Sequence, residues 1–105
     1  MPRPRDVSAV RVVLLLLLLP VSASAVTKAE ADSAYVRGEY QQAIKDYEAL
    51  LNQGASADLY YNLGNAYYRT ENITRAVLNY ERALLLSPSD RDIRFNLQMA
   101  RSKTI

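Results

Sequence analysis

Small and apolar side chains return every three or four residues along most of this chain, a spacing that lays one continuous stripe along the side of a helix. In the stretch from Ala57 to Arg69, Tyr60, Leu63, Gly64 and Tyr67 fall on one side of a first helix. From Asn72 to Leu86, Ala76, Tyr80 and Ala83 fall on one side of a second, with Asn72 placed to cap its start. Gly64 opposite Ala76 is expected to let the two backbones approach, with the tyrosines filling the space beside them. Pro88 then ends the unit, because proline lacks the N–H that a continuing helix needs. Upstream, Lys28 to Arg37 is alanine-rich and stops at Gly38, and Tyr40 to Asn52 repeats Ala43, Tyr47, Leu50 and Leu51 at helical spacing. Downstream, Asp90 to Lys103 carries Ile93, Leu97 and Ala100 on one side, with Ser89 or Asp90 as its cap.

These elements repeat. A shift of 33 residues aligns Ala43 with Ala76, Tyr47 with Tyr80, Tyr35 with Tyr68 and Ala34 with Tyr67. A further step of 34 carries Asn62 to Asn96, Leu63 to Leu97 and Ala66 to Ala100. The first unit is degenerate at its start, with Ala31 in place of Gly64 and Thr27 in place of Tyr60, so its first helix is expected to be small and frayed. A unit of this length with large, small and aromatic residues in this order resembles the tetratricopeptide repeat. The resemblance implies an all-α fold, a right-handed α-solenoid of helix hairpins with about two repeats and a capping helix. It divides the chain into residues 26–54, a first degenerate repeat; 55–89, a second; and 90–105, a capping helix or the start of a third repeat, which reads as truncated. One hairpin cannot bury its own apolar face, so stability rests on stacking between neighbours and is expected to be modest.

Residues 1–25 read differently. A net-basic start with Arg3, Arg5 and Arg11 leads into the aliphatic run Val12 to Leu19, then Pro20 and small residues ending Ala23, Ser24, Ala25. This is the pattern of a secretory signal peptide with cleavage after Ala25. The run is far shorter than the roughly 20 residues a spanning helix needs. Export to the periplasm, or to the periplasmic face of the inner membrane, is the localisation expected.

Charge and composition narrow the chemistry. The formal charge of +2 comes from 13 basic and 11 acidic residues; removing Arg3, Arg5, Arg11 and Asp6 leaves ten of each from Val26 onward. A balanced domain is a poor electrostatic match for nucleic acid. With no histidine and no cysteine, no disulfide or lipidated cysteine can form, the remaining catalytic candidates are carboxylates, hydroxyls and lysines scattered along solvated helix faces, and no glycine-rich phosphate loop or metal-ligand cluster is legible. Catalytic residues, cofactors and metals are therefore not assigned. Glu30 and Asp32 point apart on a helix, and Lys45, Asp46 and Glu48 read as a solvated surface. The Asn72, Ile73, Thr74 triplet fits a glycosylation acceptor but is better explained by capping.

Three further stretches carry a closer resemblance: KAEADSAY, LYYNLGNAYYRT and NYERALLLSPSDRDIRFNLQMARSKT. Together they are similar to the aerotolerance-operon BatE family of Bacteroidetes-type bacteria. That resemblance implies an exported or membrane-associated protein whose repeats precede membrane-spanning and SH3-like segments. It also implies membrane proteins with von Willebrand A domains as partners.

In stacked hairpins the first helices line the inner wall. The groove is accordingly expected to present Asp32 and Tyr35 from the first unit, and Asp58, Tyr61, Asn65, Tyr68 and Arg69 from the second. The last helix is expected to add Asp92, Phe95 and Met99. Tyr60, Tyr67 and Tyr80 lie on the packed stripe and read as core, whereas Tyr61 and Tyr68 lie off it and offer apolar contact with a hydroxyl tip. Asn65 can give and take hydrogen bonds with a peptide backbone. Asn62 and Asn96 recur at equivalent positions, where bonding between repeats is as good a reading as ligand contact. Relatives that clamp a C-terminal carboxylate need a lysine where this chain has Tyr61, which argues against that ligand. The function implied is a non-catalytic scaffold that takes a peptide or partner protein, with a spacer or self-association module as the alternative.

Overall fold

A computed structural model describes residues 25–104. The signal-peptide reading of residues 1–25 lies almost wholly outside them. Five helices follow one another: α1, Lys28–Val36; α2, Tyr40–Leu51; α3, Ala57–Arg69; α4, Ile73–Leu86; and α5, Arg91–Arg101. Among the described residues there is no strand, and no helix long and apolar enough to cross a membrane.

Four of the helices start at a polar cap. Thr27, Ser56 and Asn72 each accept from the backbone N–H three residues on, and Asp90 accepts from Asp92 and Ile93. Each such cap satisfies a donor the helix cannot, and typically contributes about 1 kcal/mol. At the start of the first helix, expected to be small and frayed, the Thr27 hydroxyl takes the Glu30 N–H at 3.2 Å. α2 begins at Glu39 without a side-chain cap.

Both hairpin turns are built alike. Gly38 (φ 79°) closes the first, its N–H on Tyr35 O and that of Glu39 on Ala34 O. In the second, the N–H groups of Glu71 and Asn72 take Tyr68 O and Tyr67 O, and Glu71 sits at φ 62°. The second turn thus places an L side chain in the left-handed region that glycine occupies in the first.

Each helix packs on its chain neighbours, and α3 also touches α5, two elements on. Small residues at the crossings, Ala31, Ala34, Ala43, Ala66, Ala76, Ala83 and Ala100, are all buried, which lets the helix axes come close. Tyr47 and Tyr80 fill the remaining space at 2% exposure, each ring contributing on the order of 2 kcal/mol by burial. Gly64 serves more than the expected close approach to Ala76. A Cβ there would lie 2.7 Å from Cδ1 and Cε1 of Tyr80, so the missing side chain makes a seat for the Tyr80 ring.

Three other expectations need correcting. Tyr60 is half-buried rather than core, and its neighbour Leu59 takes the inward position at 8% exposure. Leu63, Gly64 and Tyr67 of the expected stripe are buried, so only its first position differs, and the Tyr60 ring lies 5.9 Å from the Arg82 guanidinium. Pro88 is exposed rather than buried with the packing residues of the unit; its carbonyl accepts from Arg94 Nη2. Asp46 is buried rather than solvated, and its Oδ1 accepts from Gln42 Nε2 at 2.8 Å.

Candidate partner-binding cleft

The cleft forms where α3, α4 and α5 meet and α1 closes one side. On α3, Tyr61, Asn65 and Tyr68 are spaced four and three residues apart, which sets them on one face away from the Leu63 and Tyr67 packing stripe. Asn65 Oδ1 sits at the centre. It accepts from Tyr80 Oη at 2.5 Å and from Asn96 Nδ2 at 3.0 Å, and the same Asn96 Nδ2 donates to Tyr61 Oη at 2.9 Å. These bonds join three helices through one amide oxygen. They also leave Asn65 Nδ2 as a donor and Asn96 Oδ1 as an acceptor with no partner among the described residues.

The walls are Tyr35, Tyr68, Arg69, Tyr80 and Met99, around a volume of about 210 Å³. Tyr35 stands edge-on to Tyr40, ring centroids 5.3 Å apart, and the Arg69 guanidinium lies 5.0 Å from the Tyr40 centroid. The Lys103 ammonium lies 5.1 Å from the Tyr68 ring. Arg69 is the one ionised side chain in the lining. Burial, reinforced by Tyr61 and Tyr35 nearby, pushes the Tyr80 hydroxyl well above its ordinary value. Burial likewise raises Tyr35, and Arg69 opposes that shift. Both therefore stay neutral hydroxyls at physiological pH.

Of the residues expected to face the groove, Tyr35, Asn65, Tyr68, Arg69 and Met99 come together in this cleft. Tyr61 adjoins them through Asn96 and through its ring, 5.9 Å from that of Tyr80. The acidic members do not join them. Asp32 is engaged by the Tyr47 hydroxyl and by Lys28 Nζ at 2.8 Å, while Asp58 and Asp92 are exposed on first turns outside the lining. Phe95 is 63% exposed and also lies outside it. Tyr80 was legible only as core, yet its hydroxyl reaches the cleft floor. The same contact recurs in the first repeat, where Tyr47 meets Asp32 as Tyr80 meets Asn65, the two pairs displaced by 33 residues.

The tetratricopeptide repeat family matches residues 28–93. This chain belongs to that family. No curated protein matches it. Tetratricopeptide repeats generally mediate protein–protein interaction and are typically non-catalytic, and this tetratricopeptide chain carries its cleft between α3 and α5, with Tyr35 of α1 and Tyr80 of α4 completing the lining. Among the described residues no three His, Cys, Asp or Glu side chains converge as a metal site.

Proposed function

We propose that this chain is a non-catalytic interaction module of the cell envelope whose inner cleft holds a segment of a partner protein during assembly of a membrane-associated complex. The observation that carries the reading is the uncommitted pair at the cleft floor. Asn65 Nδ2 can donate to a peptide carbonyl and Asn96 Oδ1 can accept from a peptide N–H, while Tyr68 and Met99 supply apolar contact. The signal-like residues 1–25 support an exported, periplasmic setting. The likeness to the aerotolerance-operon family supports membrane proteins with von Willebrand A domains as the partners.

The test is crosslinking capture from intact envelopes with the full chain and with an Arg69→Ala, Met99→Ala variant, whose altered side chains are exposed and bear little of the core. A partner held by the parent and lost by the equally stable variant is expected. Equal capture by both would overturn the cleft as the binding surface. A second reading, self-association, is favoured by one observation: Leu84, Leu85, Pro88 and Leu97 line an apolar groove of about 560 Å³ where α4 meets α5, with Leu85 81% exposed. Sedimentation across a wide concentration range separates the two, a concentration-independent monomer excluding self-association.

A further inference from the structure

Another face of α3 forms a second, separate cleft with α2 and α4, of about 390 Å³ and bordered by Glu48, Tyr60, Tyr67, Arg75, Asn79 and Arg82 among others. Its arginines are held over tyrosines instead of paired with acids. Arg75 lies 5.8 Å from the Tyr67 ring and Arg82 5.9 Å from the Tyr60 ring. Neither makes an ion pair among the described residues. The only carboxylate in this lining, Glu48, already accepts from the Tyr67 hydroxyl at 2.5 Å.

A buried group points the same way. Asn79 is 3% exposed; its Nδ2 donates to Arg75 O, and its Oδ1 is buried with no hydrogen-bond partner. The comparison between repeats shows why this is not a generic feature of the fold. Asn79 corresponds to Asp46 and Arg75 to Gln42, both 33 residues earlier. In the first repeat Gln42 Nε2 satisfies Asp46 Oδ1 at 2.8 Å. In the second, the residue in Gln42's place turns its head onto Tyr67, and the buried acceptor beside it is left over. A native acceptor in that condition needs an explanation, because each costs about 1–3 kcal/mol.

We propose that this outer cleft is a second binding site, taking an acidic peptide segment of a partner protein. Two carboxylates of the segment meet Arg75 and Arg82, and a main-chain N–H of the segment meets Asn79 Oδ1. The arginines are seven residues apart on one helix face, about 10 Å along the axis, which a peptide in the polyproline II conformation, with three residues per turn at about 3.1 Å each, spans with acidic residues three apart on one side. Both arginine side chains are exposed, so they are free to swing onto the carboxylates, and Asn79 lies between them in the lining of the same cleft. A nucleic acid fits worse, since two cations beside Glu48 cannot neutralise a run of phosphates.

The site is tested by titrating the isotope-labelled full chain with Ac-Ser-Glu-Ala-Ser-Glu-Ala-NH2 and with its Ser-Gln-Ala-Ser-Gln-Ala counterpart, following the Asn79 side-chain amide and the Arg75 and Arg82 Nε–H signals. Saturable shifts at all three are expected, with affinity at least roughly fivefold weaker for the glutamine peptide and for an Arg75→Ser, Arg82→Ser variant. Asn79→Leu is expected to weaken binding without unfolding the chain, whereas Arg69→Ala in the inner cleft is expected to leave it unchanged. Equal binding of the two peptides, shifts confined to Tyr68, Asn96 and Met99, or no saturable shift would each overturn the proposal.

Discussion

Tyr80 donates its hydroxyl to Asn65 Oδ1 within the second hairpin, and Asn96 of the following helix bonds the same oxygen. The contact that closes one repeat is therefore also the contact that docks the next. A loss of the Asn96 contact should loosen the docking of the last helix.

Asn96→Ala removes both bonds that Asn96 Nδ2 makes, to Asn65 and Tyr61. Tyr80 still satisfies Asn65, so the cost is expected to be about 1–2 kcal/mol and confined to the docking of α5. Amide exchange in α5 should quicken while that in α1 and α2 changes little; a uniform acceleration would show that the bonds do not localise there.

Gly64→Ala should destabilise the chain despite alanine's better helix propensity. The new Cβ meets ring carbons of Tyr80 at 2.7 Å, and that ring is itself 2% exposed and cannot easily move. Overpacking of about 1–3 kcal/mol, less about 1 kcal/mol gained in propensity, leaves a net loss of up to about 2 kcal/mol in urea unfolding. An unchanged midpoint would mean that the seat is loose.

Glu71→Gly should do the opposite. Glu71 is exposed and holds φ at 62°, the conformation that Gly38 adopts in the first turn. Relief of the Cβ clash, partly offset by the greater freedom of an unfolded glycine, is expected to stabilise by about 0.5–1 kcal/mol. A lower melting temperature would refute this.

Stability should fall at both ends of the pH scale, for different residues. Burial pushes the Asp32 carboxyl up, but hydrogen bonds from Lys28 and Tyr47 outweigh it and hold the group below its ordinary value. Its contribution is complete above the unfolded value of about 4 and is lost as pH falls through the lower folded one. Tyr47→Phe should flatten that acid limb. At high pH, burial, with the Asp32 bond to Tyr47, holds the Tyr47 and Tyr80 hydroxyls far above ordinary tyrosine. Their contribution is complete below about pH 10 and is lost above it as the unfolded tyrosines ionise. In an ultraviolet titration of the eight tyrosines, these two should ionise last, together with unfolding.

Periodicity alone determined the five helices, because a stripe of small and apolar residues has a single stable use in a helix, burial against another. The sequence also supplied the 33-residue register, the cap at Asn72, the choice of Ser89 or Asp90 for the last cap, and the inner positions of Tyr35, Asn65 and Tyr68, since facing direction follows from the helical turn. Partnership between helices was not readable in that way. Only the packed structure decided that Gly64 accommodates a ring, that Tyr60 yields the interior to Leu59, and that Asp32 is spent on Tyr47. It likewise decided that Asn79 is buried without a partner for its oxygen while Asp46 has one. Each of these depends on the distance and angle between two helices, and a one-dimensional pattern specifies which face is buried but not which atoms meet across it.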